Sequence, residues 1–305
     1  MAVGESGADR SFVPGIERPA AAVRTPRRRI PTLQQVVVAV LLLIFAVIFL
    51  YPMIWLLSAS LKPATQVFSP SLLPDPIRFE NYPDLLAQAR NFPTWLFNSV
   101  IVSGLSAITV TLSSAFVAFG FAYFRFPFRN LVFGIVLATM MLPGAVTMIP
   151  TFLIWNQLGF YNTLTPLWAG NLFASAFYIF MLRQFFLGLP RELFEAARVD
   201  GAGYIRMWRS VALPLTIPAL IVVLIFELKA SWTDVVKPLI FLRDNNLFTL
   251  PRGLLSIIES AAITGEGHWE LLMAAAVITT LPMVILFFVG QRYFVEGIAT
   301  GGVKG

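Results

Sequence analysis

Six apolar blocks constrain this 305-residue chain more than any other feature. They run over 33–57, 95–120, 131–155, 166–187, 213–236 and 271–291. An α-helix rises about 1.5 Å per residue, so a block of about 20 residues crosses the hydrocarbon layer of a bilayer. Charged residues make up only 12% of the chain, about half the share of a soluble domain. The expected fold is therefore an all-α integral membrane protein with six transmembrane helices. Pro52, Pro143, Pro150, Pro218 and Pro282 interrupt these blocks. They predict kinked helices around a cavity, with neighbouring helices satisfying the freed backbone groups.

Orientation follows from lysine and arginine. The side that would hold both termini carries fourteen of them, among them Arg125, Arg129, Arg191, Arg198, Arg206, Arg209 and Arg292, against six on the other side. The richer side is cytoplasmic, so both termini are expected inside. Residues 1–32 are rich in Gly, Pro, Ala and Arg and read as a disordered cytoplasmic tail. The first block is too long for the apolar region of a cleaved signal peptide and reads as an anchor.

Several function classes are excluded early. There is no cysteine, hence no disulfide and no thiolate chemistry. The single histidine, His268, lacks the partners of a metal site and reads as an external loop residue. The net charge of +6 reflects cytoplasmic arginine rather than nucleic-acid binding. No paired carboxylates, nucleophile–base set or metal cluster suggests an enzyme, and there is no phosphate-binding loop of the G-x-x-x-x-G-K-[ST] type. No catalytic or metal-binding residue is expected.

One polar connection, 191–212, has a design of its own. Pro190 suits the start of a helix, and Glu192 complements its N-terminus. Small residues follow in the middle of the helix, and Gly201 and Gly203 then permit a sharp turn. A second short helix presents Ile205, Trp208 and Val211 at helical spacing, and Pro214 opens the next span. This predicts a helix–turn–helix outside the bilayer that admits close approach by another protein, although an ordinary polar loop has the same length.

The run Glu195-Ala196-Ala197, then Asp200-Gly201-Ala202, then Leu213-Pro214 resembles the EAA loop of ABC importer permeases. Other pieces resemble the carbohydrate-uptake branch of that family, of maltose and glycerol-phosphate type. They include Ser60-Leu61-Lys62, Asn98-Ser99, Arg125-Phe126-Pro127, Met141-Leu142-Pro143 and Gly302-Val303-Lys304-Gly305. The resemblance covers residues 33–305. It departs at Trp232-Thr233-Asp234, where the family often has Asn in the middle position.

The resemblance implies the type I importer permease fold in a bacterial inner membrane. It also implies four partners: a second permease, two ATPase subunits and an external solute-binding protein. ATP and Mg²⁺ would be used by the ATPase, with no cofactor in this chain. Glu195, Ala196, Ala197, Asp200, Gly201, Ala202 and Pro214 would be coupling residues. The solute would be a sugar or a sugar-like molecule, or alternatively a non-sugar solute such as glycerol phosphate.

Candidates for the solute path are polar residues in or at the end of spans: Asn171, Ser175, Glu227, Trp232 and Asp234. A charge within a span is a functional hypothesis by default, but Glu227 and Asp234 also suit structural roles. Trp232 suits either a sugar ring or the membrane interface. Asn171 and Ser175, four apart, would share one helix face, lining a cavity or tying helices together. A stand-alone ion-coupled carrier is the alternative. It would need ionisable residues near the midplane. Glu227 is its only candidate, and it leaves the EAA stretch unexplained.

Overall fold

A computed structural model of the chain describes residues 32–264 and 267–301. Most of the basic tail and the Gly302–Gly305 end lie outside the described residues. Every regular element among the described residues is helical. Two compact units divide at Leu50. The first holds most of helix α1 (Leu33–Ala59), whose lipid-ready surface is apolar all round.

The second unit carries the rest. It contains α2 (Asn81–Gln88), α3 (Phe92–Tyr123), α4 (Arg129–Thr139), α5 (Gly144–Gln157) and α6 (Thr165–Trp168). Then come α7 (Ala176–Leu187), α8 (Arg191–Val199), α9 (Tyr204–Met207) and α10 (Leu213–Leu215). It ends with α11 (Ile217–Trp232), α12 (Val236–Phe241), α13 (Leu250–Thr264) and α14 (Trp269–Gly301).

Four segments are long and apolar enough to cross a membrane without a sharp bend: Leu33–Ala59, Phe92–Tyr123, Thr165–Leu187 and Trp269–Arg292. The third and fifth apolar blocks are bent pairs. α4 and α5 meet at 96°, and the run Tyr204–Leu215 meets α11 at 81°. The first break ends at Pro143, which precedes α5 with φ −60° and ψ 133°. The second falls at Thr216, between Pro214 and Pro218, which together remove two backbone donors from adjacent turns. Pro52, Pro150 and Pro282 ride within continuing helices.

α3 is the central strut and packs against both α7 and α11. Its second half joins one apolar core, with Phe119 and Phe121 against Ile179, Leu182, Phe186, Phe194, Met207 and Val223. Its first turns join another, with Phe92, Trp95 and Val102 against Trp232, Phe241, Phe248, Leu250 and Leu271. Arg183, inside a span, lies over the Phe133 ring at 4.3 Å, which holds its charge between α4 and α7.

At its N-terminal end α3 organises the connection that follows α12. Trp95 Nε1 donates to the Asn245 carbonyl at 2.8 Å. Asn98 Nδ2 donates to the carbonyls of Asn246 at 2.9 Å and Phe248 at 3.0 Å. Ser99 Oγ accepts the Leu250 N–H at 2.7 Å. An Asn98→Leu variant leaves both carbonyls without this donor, and orphaned buried polar groups cost about 1–3 kcal/mol each. We expect about 3 kcal/mol of lost stability, read as a lower melting temperature of the detergent-solubilised protein.

The segment after α1 is tied in the same manner. Asn81 Nδ2 donates to the carbonyls of Ser60 and Lys62, each at 2.9 Å. Lys62 is fully buried, and its Nζ donates to the Ser69 carbonyl at 3.1 Å. The Ser60-Leu61-Lys62 and Asn98-Ser99 pieces are thus the anchors of one face, which also carries α2, α12 and α13.

Candidate functional site

The opposite end carries α8. Pro190 precedes the helix with φ −59° and ψ 128°, and Glu192 occupies the first turn. Its C-terminus is a Schellman closure. The Ala202 N–H donates to the Ala197 carbonyl at 2.9 Å, and the Gly201 N–H to the Arg198 carbonyl at 3.1 Å. Gly201 adopts φ 78°, the left-handed value that this closure requires and that glycine accepts without penalty. The physical content of Ala-x-x-x-Gly-Ala is therefore a helix that stops abruptly and turns its chain back.

The expected second helix is shorter and less regular. α9 gives way to a wide π-type turn over Trp208–Ala212. Ile205 stays exposed, while Trp208 meets Phe116 edge-on at 5.4 Å and Met207 is buried. Of the three residues expected on one face, Trp208 and Val211 pack against the core and Ile205 departs.

An aromatic cluster welds α8 to the bundle. Phe194, 6% exposed, meets Phe119 at 6.0 Å and Tyr123 at 5.4 Å. Tyr204 meets Phe124 at 4.9 Å, and Phe186 meets Phe119 at 5.9 Å. Edge-to-face and offset pairs of this kind add to area burial.

α8 therefore has three sides. Phe194, Ala197 and Ala202 face the chain's own core. Glu192, Ala196 and Val199 point outward with Asp200 and Gly201, and Val199 is 88% exposed. Arg191, Glu195 and Arg198 flank a groove of about 520 Å³, completed by Arg125 and the aromatic cluster. No ion pair among the described residues joins Glu195 to these arginines. Of Ala196 and Ala197, the first is exposed and the second is half-buried against the core. Pro214 lies exposed at the start of α10, two residues before the bend at Thr216. In the sequence Arg125 and Arg191 counted as cytoplasmic charge, and Val199 was not singled out as a contact residue. An apolar residue ending a polar helix was the signal for Val199.

The path candidates divide. Asn171 and Glu227 come together, with Asn171 Nδ2 donating to Glu227 Oε1 at 2.6 Å. Tyr178, unpredicted, donates its hydroxyl to Glu227 Oε2 at 3.2 Å. Asn171 Nδ2 also reaches the Ser106 carbonyl at 3.3 Å, and Ser231 Oγ donates to Ser106 Oγ at 3.4 Å. α3, the fourth apolar block and α11 thus meet in a polar centre.

Asn171 and Ser175 do not share one face of a regular α-helix. A 3₁₀ turn over Ala169–Phe173 and Ala174 at φ 65° separate them. Both are nevertheless fastened to α3. The Asn171 carbonyl accepts from Ser113 Oγ at 2.9 Å, and the Ser175 N–H donates to Ser114 Oγ at 3.1 Å. The run of serines in the second apolar block was the sequence signal for this seam.

Trp232 and Asp234 lie elsewhere. Trp232 is 4% exposed and donates Nε1 to the Thr279 carbonyl of α14 at 3.1 Å, so its ring has no free face for a solute. Asp234 Oδ1 accepts the N–H groups of Val236 at 2.9 Å and Lys237 at 3.2 Å, which caps α12. His268 is exposed, with Nδ1 3.3 Å from Glu270 Oε1. No group of metal-ligating side chains occurs among the described residues.

Comparison with known proteins gives this geometry its context. The family described as binding-protein-dependent transport system inner membrane component matches residues 107–300. The arabinooligosaccharides transport system permease protein AraQ of Halalkalibacterium halodurans is 34% identical over 264 residues, covering 85% of this chain and 93% of that protein. The sn-glycerol-3-phosphate transport system permease protein UgpE of Yersinia enterocolitica is 33% identical over 269 residues, covering 85% and 94%.

Among solved structures, a bacterial ABC transporter that imports the acidic polysaccharide alginate has a chain matching at TM-score 0.75 and 26% identity. That match covers 87% of this chain and 99% of that one. A chain of an alginate transporter in complex with its pentasaccharide-bound periplasmic protein shares the fold at TM-score 0.61 and 20% identity. The multi-pass helical architecture and these likenesses agree: the chain belongs to the binding-protein-dependent transport system inner membrane components, the permeases of ABC importers.

Proposed function

We propose that the chain is the permease subunit through which an ABC importer takes up a sugar or sugar-like solute, and that the outward side of α8 is its docking handle for the ATPase. The observation that carries this reading is the exposed pair Ala196 and Val199, followed by Asp200 and Gly201 at the turn, on a helix welded to the bundle from behind. Glu195 stands at its flank beside the arginine groove. Partner subunits bind ATP and Mg²⁺ and hydrolyse the nucleotide; this chain contributes force transmission and a path. Each bent pair counts as one span, giving six, with both termini and α8 on the cytoplasmic side of a bacterial inner membrane.

A second permease completes the path. An external solute-binding protein delivers its cargo at the face that carries α2, α12 and α13. Closure of the ATPase dimer moves α8 and opens the path outward, and hydrolysis resets it. The relatives handle arabinooligosaccharides, diacetylchitobiose and sn-glycerol 3-phosphate according to their names, which supports polyhydroxylated solutes for this chain. Asn171, Ser175 and Glu227 belong to the polar centre near that path, whereas Trp232 and Asp234 hold helices in place.

The test is composition. The chain, tagged at its N-terminal tail and extracted in mild detergent, is expected to bring down a second permease and an ATPase in fixed ratio. A Val199→Asp variant is expected to keep the second permease and lose the ATPase, because a charge buried against a partner costs several kcal/mol. A stable assembly free of any ATPase would instead favour an ion-coupled carrier.

A further inference from the structure

Ala174 holds a backbone conformation that belongs to glycine. Its φ of 65° and ψ of 174° lie where residues with a Cβ rarely go, and such angles persist only when the surroundings over-determine them. Here they are over-determined from both sides. Before it, Asn171 is bound through its carbonyl to Ser113 and through its amide to Ser106 and Glu227. After it, the Ser175 N–H is bound to Ser114, and the Tyr178 hydroxyl to the other oxygen of Glu227. One carboxyl group on α11 therefore bridges the two halves of the fourth span across its strained residue.

We propose that Ala174 is the hinge of the fourth span during transport, and that Glu227 is the positioning residue that latches it in this conformation. Glu227 holds Asn171 and Tyr178 together only while the segments before and after Ala174 keep their present angle. Turning about Ala174 breaks at least one of these bonds. The same turn lets Ala174 leave its disfavoured angles. Latch bonds and backbone strain thus oppose one another, which makes a two-position element rather than a stiff joint. Both donors to the carboxyl group are neutral, so opening the latch strands no cation. α7 continues into α8 through Gly188–Pro190, so rotation at Ala174 carries the docking handle with it. The proposal rests on the permease reading above.

The chain has no native cysteine, so spin labels go in cleanly at G170C and L187C, on either side of the hinge. Both positions are exposed, and a side chain at 170 meets nothing within 4 Å. Double electron–electron resonance on the assembled transporter in nanodiscs reads this distance in two states. One is nucleotide-free, and the other is trapped with ATP, vanadate and solute-loaded binding protein. The expected result is two distinct distances, one per state.

Glu227→Ala is expected to populate both distances in the nucleotide-free complex. It should also lower the solute moved per ATP by at least about fivefold, on the scale of a coupling energy. Ala174→Gly removes the strain and only one methyl group packed against the core, so it serves as a second variant if Glu227→Ala folds poorly. It is expected to favour the latched distance by about 5- to 150-fold and to slow turnover. One unchanged distance in an assembled, ATP-hydrolysing complex overturns the hinge. Normal coupling in Glu227→Ala, with distances that still switch, overturns the latch. Failure of the unmodified chain to assemble with an ATPase overturns the permease reading, and this proposal with it.

Discussion

Gly201→Asp is expected to leave the chain folded in the membrane and to abolish uptake. Gly201 sits at φ 78° with open space where a Cβ would go. Aspartate is one of the few residues that visit the left-handed region routinely, so the Schellman turn survives at a cost of about 1 kcal/mol. What changes is the outward tip of α8, which gains a carboxylate where a partner must approach closely. Charge misplaced at an interface costs several kcal/mol, which is more than about a hundredfold in association. Membrane content by immunoblot should match the parent, while ATPase recovery and solute uptake fall together. Gly201→Ala separates the two effects: it carries the turn penalty without the charge and should retain most uptake. Normal uptake by the aspartate variant would remove α8 from the coupling role.

Gly253→Val is expected to destroy the opposite face. A Cβ at 253 would overlap Trp95 Cε3 and Cδ2. The indole has nowhere to go. It is 3% exposed, packs near Phe92 and Phe248, and donates to Asn245. Overpacking alone costs about 1–3 kcal/mol, and more when the neighbour cannot yield. Losing the indole bond adds about 1 kcal/mol. The valine variant should fail to accumulate, and even Gly253→Ala should melt many degrees lower. Adding Trp95→Leu to Gly253→Ala should recover part of that loss, since the two sites are in contact and their effects are not additive. An alanine variant as stable as the parent would show that the Trp95–Gly253 contact is not needed.

The helix 191–199 and the turn that ends it were legible in the sequence because their physics is local. A Schellman turn closes within six residues, and Pro190, Gly201 and Pro214 each mark a backbone event at their own position. The apolar blocks were legible for the same reason. The polar centre was not. Asn171 and Glu227 are 56 positions apart, and nothing near Ala174 announces a break, since neither glycine nor proline occupies it. Pro52, Pro150 and Pro282 lie within continuous helices, whereas Pro143 and the Pro214–Pro218 pair flank the two sharp bends. Trp232 read as a sugar-stacking or an interfacial ring because its burial depends on α14, which no local pattern places against α11.

α3 is a single unbroken helix of 32 residues, roughly 48 Å long. Near one end it is gripped by the aromatic cluster beneath α8, and near the other by the bonds of Trp95, Asn98 and Ser99 to residues 245–250. A rod clamped at both tips serves two masters. Work done on either tip reaches the other through the same backbone, and linkage then runs in both directions. On the function proposed above, whatever free energy a solute-laden partner at one tip gains from closure at the other, closure gains equally from that partner.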